Sequence, residues 1–263
     1  MDYEKGKTTI CIVNYKTEEL TCLCLRAIRK FTKVPYEVVV VDNDSGDNSL
    51  DYLRTLEWIR LIERPGEMEK SGGWAHATAL DKGLESCTTE FFMAMHSDTF
   101  VHKEGWLGEL LEHMTDDMAC IGGGKLDLKP SWQVFLKRIT DYKTLLKKFK
   151  GAKRNDFYIR TICALYRTEI LMKEELRFSL NIENGVTCGK QLYYNLIDRN
   201  YKTKQISEWE MAKWIYHLAH ATMVLNPEFT VRNKTEKKCK RKISEIMNLP
   251  LVKEILNDDS LDK

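Results

Sequence analysis

The chain has 263 residues, 43% hydrophobic and 30% charged, which excludes wholesale disorder and leaves room for one large domain or two small ones. Lys and Arg number 41 against 39 Asp and Glu, and a net charge of +2 gives no ground for a nucleic-acid partner. Apolar runs such as Val38–Val41 and Phe91–Met95 fall far short of the roughly 18 residues a bilayer span needs, and no apolar stretch follows the basic residue of Met1-Asp2-Tyr3-Glu4-Lys5 as in a secretory signal, so a cytoplasmic location is expected.

Thr8–Val13 is a β-branched run, and Thr17 then offers an N-cap ahead of Glu18 and Glu19. Leu20, Cys24, Ala27 and Phe31 recur at helical spacing, and Pro35 ends that helix. Tyr36–Val41 is a continuous apolar strand of the kind covered on both faces, so the opening is a βαβ unit. The alternation goes on with a helix near Ser49–Glu57, a strand at Ile59–Glu63, a helix over Ala75–Glu85 and a strand at Phe91–Met95. This predicts an α/β fold with a mostly parallel, doubly wound sheet.

Beyond it the pattern loosens. Gly122-Gly123-Gly124 marks a turn or a close backbone approach, and Phe135, Ile139, Tyr142, Leu146 and Phe149 form a helical stripe among the basic residues of Lys137–Arg154. Phe157–Tyr166 reads as a strand, Gln191–Arg199 as a helix, Lys202–Ile206 as a strand and Ile243–Leu256 as a helix. The eight cysteines include no Cys-x-x-Cys pair and several sit in apolar runs, which points to reduced thiols.

In open α/β sheets ligands bind beyond the carboxyl ends of the strands. Here those ends carry Asn14-Tyr15-Lys16, Asp42-Asn43-Asp44-Ser45 and His96-Ser97-Asp98-Thr99. Neither the Gly-rich turn of a dinucleotide fold nor a phosphate-cradling loop with Lys-Ser/Thr follows the first strand, which takes most of the support from both common nucleotide folds.

Four segments, Thr9–Thr17, Val39–Ser45, Gly73–Leu84 and Met95–Thr99, resemble in order and spacing the inverting family 2 glycosyltransferases, over roughly residues 8–225. The resemblance implies a GT-A fold with a Rossmann-like central sheet, helices on both its faces and a helical C-terminal tail. It implies a nucleotide-sugar donor, UDP- or dTDP-linked, a divalent metal, Mn²⁺ or Mg²⁺, and transfer with inversion to a glycan or lipid-linked acceptor in polysaccharide assembly. By matched position, Asn14 and Tyr15 line the base and ribose pocket, Asp42 reads the base edge, and Asp44, Gly73, His76 and Ser97 lie along the donor. Asp98 matches the last acid of the family's Asp-x-Asp motif and ligates the metal. His96 stands at the motif's first acid, and an imidazole there favours manganese. The segment Trp214–Thr222 resembles the family's closing His segment, with His217 the better match and His220 the alternative.

The family's catalytic base falls on Thr187-Cys188-Gly189, where there is no acid, and the nearest carboxylate, Glu183, is nominated in its place. The resemblance divides the chain into a domain over 1–231, with a donor half (1–100) and an acceptor half (101–231), and a basic-then-acidic tail over 232–263. The basic stretches Lys137–Arg154 and Arg232–Lys242 would suit peripheral contact with the inner face of a membrane. A domain of this kind that binds a nucleotide sugar or a protein partner without transfer is the rival reading.

Overall fold

The computed structural model describes residues 2–66, 71–124 and 158–263. In chain order these hold β1 (Glu4–Asn14), α1 (Glu18–Phe31), β2 (Tyr36–Asp42), α2 (Asn48–Arg54), β3 (Ile59–Glu63), α3 (Gly72–Glu85), β4 (Thr89–His96), β5 (Thr99–Val101), α4 (Trp106–Glu112) and β6 (Met118–Gly123). There follow β7 (Cys163–Arg167), α5 (Thr168–Lys173), α6 (Lys190–Asp198), β8 (Lys202–Ile206), α7 (Glu208–Met211), β9 (Ile215–His217), α8 (Ala221–Leu225), α9 (Asn233–Met247) and α10 (Pro250–Leu256).

Seven strands make one sheet in the order β3-β2-β1-β4-β7-β6-β8, and β5 pairs with β9 in a small second sheet. All neighbours in the large sheet run parallel except β7, which is antiparallel to both β4 and β6. Alternation along the strands splits the core in two. Ile10, Ile12, Val38, Val40, Met93 and Met95 face α1 and α4, while Cys11, Val13, Val39, Val41, Phe92 and Ala94 face α3 and α6. Helices therefore cover both faces, as the continuous apolar strands require.

Strands β2 and β3 begin and end near their predicted bounds, and β8 matches. The helix predicted over Ser49–Glu57 is shorter, Asn48–Arg54, and that over Ala75–Glu85 starts earlier, because the Ser71 hydroxyl accepts from Trp74 N at 3.2 Å and caps it. Thr17 stands at the N-cap of α1, yet its hydroxyl makes no capping bond and lies 3.2 Å from Thr21 Oγ1 instead. The predicted strand Phe157–Tyr166 is confined to Cys163–Arg167, and Phe157 lies outside the described residues. The basic stripe Lys137–Arg154 also lies outside them. The tail helix predicted over Ile243–Leu256 is two helices: Pro250 opens α10 and Leu249 before it is extended (φ −65°, ψ 136°), since a prolyl ring disfavours helical backbone in the preceding residue. Both helices pack onto the α1 core through Cys239, Ile246, Val252 and Ile255. All eight cysteines are free thiols.

Gly122 and Gly123 form no turn; they are in β6. The close approach is real, because a Cβ on Gly122 would lie 2.9 Å from Cys163 O and 3.0 Å from Ala164 Cα of the neighbouring strand. Backbone in mid-sheet has little room to retreat, so Gly122→Val is expected to cost about 1–3 kcal/mol. The urea midpoint checks this; an unchanged midpoint would show that β6 and β7 separate freely.

Candidate active site

The carboxyl ends of β1, β2, β4 and β6 share one edge of the sheet, and the antiparallel β7 begins there. A cavity of about 570 Å³ opens at this edge. Backbone pairing brings its key residues together from distant parts of the sequence. His96 closes β4, its N–H donating to Ile162 O at 3.1 Å. The register pairs Thr99 with His217, and Leu218 N donates to Asp98 O at 2.9 Å, which sets His217 beside Asp98.

His217 Nε2 lies 3.3 Å and His96 Nδ1 3.6 Å from Asp98 Oδ1, and the three ligand atoms lie within 4.8 Å of one another. Asp98 is 6% exposed, and its Oδ1 is buried without a well-formed hydrogen bond among the described residues. Burial pushes the Asp98 carboxyl up, but His217 foremost and His96 outweigh this and hold it well below the usual carboxylate range. A buried anionic oxygen with two ring nitrogens around it has the donor set of a cation site. His76 reaches the same place from α3, its ring 4.7 Å from that of His96 and edge-on to it. Desolvation first and His96 second push its imidazole down to about 3, so it is neutral at ordinary pH, and its Nε2 is buried without a hydrogen-bond partner among the described residues.

Of the sequence-predicted residues, Tyr15, Gly73, His76, His96, Ser97, Asp98 and His217 line this cavity, as does His220. Asn14, Asp42, Asp44 and Glu183 do not. Asn14 is fully buried and its amide donates to Asp42 Oδ1 (2.7 Å), Ser45 Oγ (3.1 Å) and Ser49 Oγ (2.9 Å). Asp42 also accepts from Ser45 N (3.0 Å) and Ser45 Oγ (2.6 Å), so its carboxylate is used inside the wall. Both shape the loop that presents Tyr15 and Asn43. Asp44 is exposed and accepts from Gly66 N at 3.0 Å. Glu183 is exposed on the one-turn helix Ile182–Asn184, while Ile182, Val186, Thr187 and Cys188 around it face the cavity. The structure does not bring the nominated base to the reacting space.

Sequence reasoning missed several wall residues. Asn43 is held by buried Arg64, whose Nη1 donates to Asn43 Oδ1 (2.8 Å) and Ala75 O (3.0 Å). The position of Arg64, directly after β3 at the same edge, was a usable signal. Thr161 Oγ1 lies 3.4 Å from His96 Nε2, and nothing in its sequence neighbourhood marks it. Phe229 meets Tyr15 edge-on at 5.9 Å, and next to it Glu228 accepts from the Tyr15 hydroxyl (2.7 Å) and pairs with Lys16 (3.1 Å). Tyr15 chiefly, then Lys16, holds the Glu228 carboxyl down to about 2. Asp81 is committed to structure, its oxygens accepting from Phe178 N (2.6 Å) and Ser179 N (3.2 Å).

The family profile described as glycosyl transferase family 2 matches residues 9–174. A search of curated proteins finds no significant match. Among solved structures, the chain is similar to the mannosyltransferase PcManGT from Pyrobaculum calidifontis, in complex with GDP-Man and Mn²⁺, at 14% identity and TM-score 0.58 over 96% of this chain and 74% of that one. It is similar to S. aureus TarS 1–349 in complex with UDP at 17% identity and TM-score 0.53, covering 96% and 71% of the two chains. The same TarS segment with UDP-GlcNAc gives 17% identity, TM-score 0.51 and coverage of 96% and 72%. At these identities the likeness shows the GT-A fold alone.

Proposed function

The chain belongs to glycosyl transferase family 2, and from that premise we propose that it transfers a sugar from a nucleotide-diphosphate donor, UDP- or dTDP-linked, to a glycan or lipid-linked acceptor with inversion at the anomeric carbon. The observation that carries this reading is the His96–Asp98–His217 cluster, with its unsatisfied carboxylate oxygen, in the wall of the cavity at the carboxyl ends of the strands. Asp98, His96 and His217 would hold a divalent cation, Mn²⁺ before Mg²⁺, which neutralises the leaving nucleoside diphosphate as a Lewis acid. The mannosyltransferase structure holding GDP-Man and Mn²⁺, and the TarS structures holding UDP and UDP-GlcNAc, support this choice of ligands.

Tyr15 and Asn43 face the base and ribose, on a loop that Asn14, Asp42 and Ser45 make rigid. Asp44 lies outside this group. Gly73 and the neutral His76 lie by the diphosphate, where an uncharged imidazole can donate or accept a hydrogen bond without repelling the cation. A cytoplasmic location suits such a donor. Among the described residues no helix is long and apolar enough to cross a membrane, and the exposed cations Lys234, Lys237, Lys238 and Arg241 on α9 suit peripheral contact with an anionic one.

Calorimetric titration with UDP, dTDP, GDP and CMP, with and without Mn²⁺, tests the reading. One nucleotide is expected to bind about tenfold or more tighter with the metal than without. Absence of binding to all four by folded protein would overturn it. The rival reading, a donor-binding domain without transfer, is favoured by one observation: Thr187, Cys188 and Gly189 stand where the family's base is expected, and Glu183 is outside the cavity. Sugar transferred to any component of a glycan or lipid extract, detected by mass spectrometry, disposes of it.

A further inference from the structure

The cavity changes character along its length. Its walls come from Tyr15 and Asn43 after β1 and β2, then from the His96–Asp98 turn after β4, and then from Tyr158–Ile162 leading into β7 and the loop before α6. Sheet order thus places the donor-side loops at one end and the β7 side at the other, with the candidate cation site between.

The β7 side is basic. The Arg160 guanidinium carbon lies 4.9 Å from the centre of the Tyr158 ring, and the Lys190 ammonium lies 5.6 Å from the same centre. Tyr158 is 7% exposed and lines the cavity with Arg160; Lys190 is not in the lining but follows Thr187 and Cys188, which are. The Tyr158 ring holds two side chains that would otherwise wander, and it puts two like charges in one neighbourhood, where an anion is favoured. No ion pair among the described residues neutralises either one. The cavity wall there holds no carboxylate; Asp98 is the only one among the described lining residues. Lys190 directly follows Thr187-Cys188-Gly189, the position where the family resemblance implies an acid facing the acceptor. The chain has no charge at those three residues and a cation directly after them.

We propose that Arg160 in the cavity wall and Lys190 at its rim, both held over the Tyr158 ring, form an anion subsite on the β7 side of the cavity that takes a phosphate or carboxylate group of the acceptor. The proposal rests on the glycosyltransferase reading and deepens it by making the acceptor anionic. Arg160 offers a planar fork and Lys190 a point charge, a pair that holds either anion by charge-assisted hydrogen bonds.

The test titrates the full chain, at low ionic strength and without metal, with inorganic phosphate and with glucuronate as the two anion types. At least one is expected to bind saturably, about tenfold or more weaker in Arg160→Gln and in Lys190→Gln, and with unchanged affinity in Lys253→Gln, an exposed lysine of α10 outside the cavity lining. Arg160→Lys, which keeps the charge, is expected to retain most of the binding, and thermal midpoints check that each variant is folded. Binding that persists with saturating nucleotide and Mn²⁺ supports the acceptor assignment. Displacement by that nucleotide places the two cations on the donor diphosphate and overturns it. Binding of neither anion, or binding indifferent to both substitutions, overturns the subsite itself. Nucleotide binding in the same samples separates the two failures: with it intact the subsite alone falls, and without it the glycosyltransferase reading falls.

Discussion

Asp98→Asn is expected to reduce metal-dependent nucleotide binding, and any transfer that depends on it, by roughly 100-fold or more. The carboxylate is the sole anionic member of the cluster; His96 and His217 contribute neutral nitrogens when they bind a cation. Replacing one oxygen by an amide leaves the size of the side chain and removes the charge that draws the ion in. His217 and His96 favour the charged carboxylate, so some stability goes with it, and the affinity is read on protein shown to be folded. Titration of the variant with nucleotide and Mn²⁺, beside a thermal melt, decides the matter. Affinity equal to the parent's, in protein that the melt shows to be folded, would show that the cation site lies elsewhere.

Arg26→Ala is expected to lower global stability by about 3 kcal/mol. Arg26 lies in α1 with its side chain 6% exposed, and it gathers the segment after α10. Its Nε and Nη2 donate to Asp262 at 2.8 and 2.5 Å, Nη2 donates to Asp259 at 2.7 Å, and Nη1 donates to Leu256 O at 2.5 Å. The Tyr52 hydroxyl donates to Asp262 as well, at 2.9 Å. Asp259 is 87% exposed and contributes little, whereas Asp262 at 21% loses both its charged partner and its shielding in the variant. Urea unfolding of parent and variant gives the difference; a change under about 0.5 kcal/mol, the range of ordinary surface substitutions, would mean that the clamp is ornamental.

The same clamp predicts a pH effect of definite sign. Burial raises the Asp262 carboxyl, but the hydrogen bonds from Arg26 and Tyr52 prevail and hold it below its ordinary value. A depressed carboxyl stabilises the folded chain above its unfolded pKa of about 4, and that contribution fades as pH falls through the lower folded value. The stability gap between the parent and Asp262→Asn should therefore be constant near neutrality and close below about pH 4.

The first hundred residues were legible because their longer elements are each announced by more than one local signal. Val38–Val41 reads as a strand by composition and as a buried one by continuity, and Asp42 after it fixes where the sheet edge lies. His96 and Asp98 were readable at two residues' spacing, and His217 from its own segment. That β5 and β9 pair, and so bring His217 to Asp98, has no local signature in a three-residue strand. Gly122 and Gly123 read as a turn or a close backbone approach; they are in a strand, and at Gly122 the approach of β7 leaves no room for a side chain. Tyr158 and Arg160 precede β7 in an irregular segment, and their meeting with Lys190 is purely tertiary. Asn14 and Asp42 show the converse limit: their positions were readable, but whether a polar atom faces a ligand or its own loop is decided by neighbours such as Ser45 and Ser49.

The bond between Arg26 and Asp262 joins positions 236 residues apart. At the usual 5–20 residues per second, synthesis of that interval takes on the order of 10–50 s. Throughout it α1 exists with its buried guanidinium unmet and the apolar surface owed to α10 open to water. The sheet can assemble in that time, but α1 cannot be locked to it. Any ribosomal pause before Asp262 lengthens that exposure, in which uncovered apolar surface favours aggregation.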